Sequence, residues 1–319
     1  MTDSSMNSNL LINSGGYSAQ VDVQASAPRT QIRRLIWKIA FATLLLMAIG
    51  SATRVMNAGL ACPDWPLCYG TLFPAQQMNL QVFLEWFHRL DAALIGVSTL
   101  LLVGLSVWHR RVLPSWTVWM ALAALGLILV QGLLGGLTVT QLLRFDIVTA
   151  HLGTALLFFT TLLVMGMLLL PYSGTGTVGR LPWVSLSAAI LVYLQSLSGG
   201  LVGSRWALHQ CLWGSQLCSV MNTHLLGVIP ASLATLTVVG LAWRTPALQL
   251  LLRRLANLAG GLLLLQVLLG VATFRLHLQV EMLTVMHQMI GATLLGTLVC
   301  FTVIGLRDRA VALRLESAA

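Results

Sequence analysis

Eight apolar stretches, each close to the length that crosses a bilayer, divide this chain of 319 residues almost from end to end. A membrane-spanning helix needs roughly 20 apolar residues. The stretches fall at about 35–56, 86–108, 115–139, 147–170, 182–203, 221–243, 251–274 and 282–306. In hydrocarbon every backbone N–H and C=O must find its partner inside the protein, which leaves only helices or a closed barrel. The short alternating strands of a barrel are absent. The expected fold is therefore an all-α polytopic membrane protein with eight transmembrane helices. Composition agrees: only 8% of residues are charged, where a soluble chain carries about a quarter.

The 18 Lys and Arg residues orient the helices. With the N-terminus inside, only Arg54, Arg89, Arg144, Arg205 and Arg275 fall on the outer side. The positive-inside rule then puts both termini in the cytoplasm. The net charge of +9 reports this asymmetry and not nucleic-acid binding, because the basic residues are spread along one membrane face. Residues 1–34 read as a disordered cytoplasmic tail, rich in Ser and Asn and without the apolar run of a signal peptide. A four-helix bundle at 35–170, a cytoplasmic linker at 171–181, a second bundle at 182–306 and a cytoplasmic tail at 307–319 follow.

The two bundles read as a tandem duplication. His88 and His151 are 63 residues apart, as are His224 and His287, and a shift of 136 carries the first pair onto the second. Gln131-Gly132-Leu133-Leu134-Gly135 recurs as Gln266-Val267-Leu268-Leu269-Gly270 after a shift of 135. Gly50…Arg54 and Gly200…Arg205 each lead into a loop with a Cys pair, and the first loop is the longer. Four helices per unit give both halves the same membrane orientation, so the repeat is a parallel one. All four histidines then lie toward the outer side.

An imidazole inside a membrane helix is costly and is by default a functional candidate. Two imidazoles facing each other across a helix bundle are what an iron porphyrin needs for axial ligation. The four histidines thus read as two bis-histidine haem sites. His109, His209 and His277 fall in loops and take no ligand role. Glu85 lies three residues before His88, on the same helical face, whereas Met221 holds that place before His224. One site therefore carries a carboxylate and the other does not, as a reactive site beside a purely redox one would. A carboxylate there acts as a base or stabilises developing positive charge; the alternative is an interfacial ion pair with Arg89 or another outer arginine. Asp91 is either a hydrogen-bond acceptor for the His88 ring or a packing salt bridge. Arg54, Arg144, Arg205 and Arg275 either hold haem propionates or snorkel to the headgroups. Gly132, Gly135, Gly136 and Gly270 admit close approach of a helix or a porphyrin.

Four of the five cysteines pair by position as Cys62/Cys68 and Cys211/Cys218 in outer loops, where an oxidising compartment permits short-range disulfides. Loops so short gain little from a cross-link, so the pairs are either staples or redox-active. Cys300 reads as a small core residue.

The stretch Gly59-Leu60-Ala61-Cys62-Pro63-Asp64-Trp65-Pro66-Leu67-Cys68-Tyr69-Gly70, then Glu85-Trp86-Phe87-His88-Arg89, resembles the haem A synthase family. The likeness continues in Thr149-Ala150-His151-Leu152-Gly153, Thr223-His224-Leu225-Leu226-Gly227 and Met286-His287-Gln288, and spans about residues 35–306. It implies two four-helix bundles in a pseudo-twofold arrangement. It implies an oxidoreductase acting on a CH3 group: the C8 methyl of haem O becomes a formyl group through two hydroxylations and a geminal diol, giving haem A for terminal oxidase assembly. By the same resemblance His88 and His151 hold the substrate haem, His224 and His287 hold a permanent haem b, and Glu85 is the catalytic carboxylate. Disulfides Cys62–Cys68 and Cys211–Cys218 are implied as well. The sequence around His224 lacks the arginine that follows His88, in keeping with a different role for the second site.

The implied surroundings are the cell (inner) membrane, haem O synthase or terminal oxidase assembly factors as partners, and no nucleic acid; an oligomer is compatible. Three other classes compete. A dihaem b-type electron-transfer cytochrome explains four histidines but not Glu85. A duplicated transporter with histidine relays calls for broken helices and midplane charges. A thiol oxidoreductase calls for a Cys-X-X-Cys motif, which the chain lacks.

Overall fold

The computed structural model describes residues 7–203, 216–277 and 279–318, with side chains over 27–203, 219–277 and 279–314. Eight helices long and apolar enough to cross a membrane organise these residues. They are α1 (Asn7–Val55), α2 (Leu80–Trp108), α3 (Trp116–Thr140), α4 (Phe145–Leu168), α5 (Leu181–Val202), α6 (Gln216–Arg244), α7 (Leu250–Arg275) and α8 (Glu281–Ala318). The chain is thus a multi-pass, all-α membrane protein. Helix α1 begins inside the stretch expected as a tail, and its membrane-length part is Ala27–Val55. Helix α2 starts earlier than hydropathy alone suggests because Asn79 caps it, its side chain accepting the Val82 N–H at 3.0 Å.

Helices α1 to α4 close one ring, each packing on the next and α4 on α1, and α5 to α8 close a second ring in the same order. The rings meet along α1–α8, α4–α5 and α4–α8. Exchanging the two halves carries these three contacts onto one another. Helix α8 forms most of the seam: 72% of its membrane window is buried, against at most 33% for any other helix. Leu294, Leu298, Phe301 and Ile304 of α8 pack with Leu156, Phe158, Phe159 and Leu162 of α4. Gly296 makes room for α4 side chains, since an added Cβ would stand 2.7 Å from Leu163 Cδ1. Small residues serve this purpose between membrane helices, where lipid gives no hydrophobic drive. Leu100, Leu129, Leu236 and Leu268 point away from the protein on α2, α3, α6 and α7, as lipid-facing residues do.

At the end that holds both termini, the linker between halves is clamped to α8. Asp308 is fully buried, and its Oδ1 accepts from the Tyr172 hydroxyl (2.9 Å) and the Thr175 N–H (2.7 Å). Arg307 donates to the Met167 carbonyl (2.6 Å) and lies over the Tyr172 ring. Replacing Asp308 with Ala leaves two partly buried donors without their acceptor, at up to about 1–3 kcal/mol each. Asp308→Ala is expected to lower the thermal unfolding midpoint in detergent clearly, and Arg309→Ala to leave it nearly unchanged. Equal midpoints would refute the clamp.

Candidate functional site

His88, His151, His224 and His287 sit within the first three turns of α2, α4, α6 and α8, helices that all start at the same end of the bundle. His88 and His151 lie within electrostatic reach of each other, and so do His224 and His287. Each ring packs against a glycine of the preceding helix. An added Cβ would stand 2.8 Å from His88 Cε1 at Gly50, 2.9 Å from His224 at Gly199, 3.0 Å from His287 at Gly270 and 3.6 Å from His151 at Gly135. Side-chain volume is thus withheld at four matched points. The contact also corrects the repeat register: Gly50 corresponds to Gly199, not to Gly200 as paired from the sequence, because Gly199 is the residue that meets the ring.

Three glutamines serve the histidines. Gln131 Nε2 donates to the His151 carbonyl at 2.8 Å, Gln195 Nε2 donates to the His224 carbonyl at 2.6 Å, and the Gln266 amide lies 3.3 Å from His287 Nε2. The Nδ1 atoms of His88, His151 and His287 are buried without a side-chain partner. For His88 and His151 that leaves Nε2 as the nitrogen able to bind a ligand. Among the described residues no three His, Cys, Asp or Glu side chains converge as a bare metal ion requires. A pair of imidazoles suits iron that brings its own equatorial nitrogens. Only the Gln266 contact must yield for His287 Nε2 to take that role.

Glu85 is 4% exposed. Its Oε2 accepts the Cys62 N–H at 2.8 Å, and its Oε1 pairs with Arg89 one turn on. The ion pair considered for Glu85 is therefore formed. Arg89 also donates to the carbonyls of Asp64, Leu67 and Cys62, so the loop wraps its fan of N–H donors. A disulfide joins Cys62 to Cys68, both fully buried, and Trp65 lies against Gly136 of α3, where an added Cβ would be 3.2 Å from the ring. Gly70 takes the left-handed backbone that closes the turn. The N–H groups of Gly70 (2.8 Å) and Tyr69 (2.7 Å) reach the Asp64 carboxylate. The Gly70 bond above all, with Tyr69 and nearby Arg89, holds the Asp64 carboxyl below the usual carboxylate range, against the opposing effect of desolvation. Its grip on the loop is thus full above the ordinary Asp value of about 4 and fades as pH falls through the lowered one.

The second site has Met221 where the first has Glu85. Cys211, the Cys218 side chain, Arg205 and His209 lie outside the described residues. Of the other arginines, Arg144 pairs at the surface with Asp146 at 2.6 Å and Arg275 is exposed. Arg54 turns inward across the seam, donating to the Gly200 carbonyl and to Gln288 Oε1, each at 3.4 Å. No carboxylate among the described residues pairs with it. Asp91 is not the acceptor for the His88 ring, whose Nδ1 has no side-chain partner. The ring turns toward Gly50 on α1, out of reach of a short side chain on its own helix. Sequence reasoning passed over Gln195 and Ser198; a glutamine within the apolar run of 182–203 was the signal, since buried amides in membranes need partners.

Residues 33–299 match the family described as cytochrome oxidase assembly protein (COX15-CtaA). The chain belongs to that family. The haem A synthase of Shewanella oneidensis is 29% identical over 309 residues, covering 81% of this chain and 91% of the relative. That of Caulobacter vibrioides is 28% identical over 327 residues, covering 83% and 94%. That of Bacillus pumilus is 33% identical over 141 residues, covering 42% and 44%. The similarity to haem A synthases read from short motifs thus extends along most of the chain.

The glycine contacts differ enough to be tested. Gly50→Ala, with a new Cβ at 2.8 Å, must push the His88 ring aside, whereas Gly135→Ala, at 3.6 Å, makes an ordinary contact. Purified Gly50→Ala is expected to bind less haem per chain than the parent, and Gly135→Ala the same amount. Equal haem in both variants would refute the packing account.

Proposed function

We propose that this protein is a haem A synthase that oxidises the C8 methyl of haem O to a formyl group. The observation that carries this reading is the buried Glu85 at only one of two otherwise matched histidine pairs. His88 and His151 hold the substrate, haem O, in the first ring. His224 and His287 hold a permanent haem b in the second, which when bound supplies one-electron redox capacity. The ring contacts that map onto themselves when the halves are exchanged support a pseudo-twofold relation between the two sites.

The residues of the first site divide the work. The Cys62 N–H and Arg89 both donate to Glu85, which keeps the carboxylate an acceptor and fixes it on the helical face of His88. From there it takes up a proton released at the substrate or stabilises positive charge developing beside it. Each hydroxylation replaces a C–H of the methyl with C–OH from water, releasing two protons and passing two electrons to an external acceptor; the diol formed by the second loses water to give the aldehyde. Arg54, turned inward with neutral partners, is among the described residues the arginine best placed to meet a haem propionate. The buried Cys62–Cys68 disulfide acts as a staple that keeps the loop closed around Arg89.

The protein resides in the cell membrane with both termini cytoplasmic and the haem sites toward the outer face. It receives haem O from a haem O synthase and serves terminal oxidase assembly. One observation favours the electron-transfer cytochrome instead: both Glu85 oxygens are already engaged in holding the loop.

Haem A formation in the parent, compared with Glu85→Ala, separates the two readings. The variant is expected to keep haem b and to bind haem O, yet to yield about 100-fold less haem A, the lower end of what a positioned acid or base contributes. Arg89→Ala, which breaks the same ion pair but keeps the carboxylate, is expected to retain more haem A formation than Glu85→Ala. Haem extraction and chromatography give both values. Unchanged haem A in Glu85→Ala would remove Glu85 from the mechanism, and no haem A from the parent protein supplied with haem O would leave the cytochrome.

A further inference from the structure

Of the four paired histidines, His224 alone has a side-chain partner at Nδ1. Ser198 Oγ lies 2.9 Å from it and gives its own proton to the Gln195 carbonyl, also at 2.9 Å. Ser198 is thereby an acceptor toward the ring. The Gln195 amide lies 3.0 Å from the same Nδ1 while donating to the His224 carbonyl. An amide N–H suits a bare Nδ1, but a ring that binds iron through Nε2 carries its proton on Nδ1, and then, of the two side chains, only the serine accepts.

The first half lacks this arrangement. The register set by Gly50 and Gly199 places Leu46 opposite Gln195 and Ile49 opposite Ser198. Neither offers a side-chain polar atom, and His88 Nδ1 has no side-chain partner. The two sites share their histidines and glycines and differ in what stands behind the ring.

We infer that Ser198 is a positioning residue that fixes the His224 tautomer and strengthens this imidazole as a donor to iron. The inference rests on the reading of His224 as an axial ligand. An acceptor at the distal ring nitrogen raises ligand basicity. A stronger axial donor favours ferric iron, so the haem of the second half titrates at a lower potential than an unsupported bis-histidine haem would. The chain thereby makes two redox-distinct sites from one duplicated ligand set.

The test is a spectroelectrochemical titration of the full-length, haem-loaded protein. The second-half haem is identified as the component that His224→Ala removes. Ser198→Ala is expected to keep that haem and raise its midpoint potential, while Ser198→Thr, which keeps the hydroxyl, stays at the parent value. Ile49→Ser, which installs a hydroxyl behind His88, is expected to lower the potential of the first-half haem. Parental potential in Ser198→Ala, or an equal rise in Ser198→Thr, overturns the inference. Where Ser198→Ala fails to hold haem, Ile49→Ser decides alone, and no shift there overturns it. Should His224→Ala keep both haems at parental potentials, the ligand reading itself falls, an outcome distinct from any Ser198 result.

Discussion

An imidazole held in hydrocarbon has two ring nitrogens that water does not reach, and much of this structure answers to that constraint. Each histidine stands on an even-numbered helix, and each is met by a glycine from the odd-numbered helix before it. Glutamines on α3, α5 and α7 approach three of the four. The rings are thereby set in position before any ligand arrives, and a preset geometry is what axial coordination requires. A Cβ at Gly50 or Gly199 would remove that setting, although the helices themselves would tolerate alanine well.

The same constraint explains why charge is concentrated at the loop end. Glu85 and Arg89 are buried as a pair, and the cost of removing a guanidinium from water is offset only because loop carbonyls fill its remaining donors. The disulfide and the Asp64 turn hold those carbonyls in place. Loop, ion pair and first histidine therefore form one cooperative unit. At the opposite end Asp308 ties the linker to α8, the helix that forms the seam, so the halves are joined by chain and by packing at once.

Much of this was legible in the sequence because membrane helices are specified by length and hydropathy, which are read directly. The histidine pairs were legible because duplication repeats a spacing, and the spacing survives where apolar residues have drifted. Ser198 and Gln195 were not legible: what they do depends on which face of α5 meets α6, and an almost uniformly apolar helix has no polar face to set its rotation. The burial of Glu85 was equally hidden, since the N–H that reaches it comes from Cys62 across a loop. Hydropathy also misplaced the start of α2, because Asn79 and the polar first turn belong to the helix but not to the apolar run. Asp91 failed as a ring acceptor for a geometric reason. Spacing along one helix says nothing about where a ring turns when the adjacent helix offers a glycine.

The central claim is that two histidine pairs hold two chemically different haems, one of them a substrate. The most direct measurement is acid extraction and chromatography of the haems from purified protein, produced with and without a supply of haem O. The account predicts haem B under both conditions, with haem O and haem A added only when haem O is supplied. Two equivalents of haem B, unchanged by that supply, would contradict it.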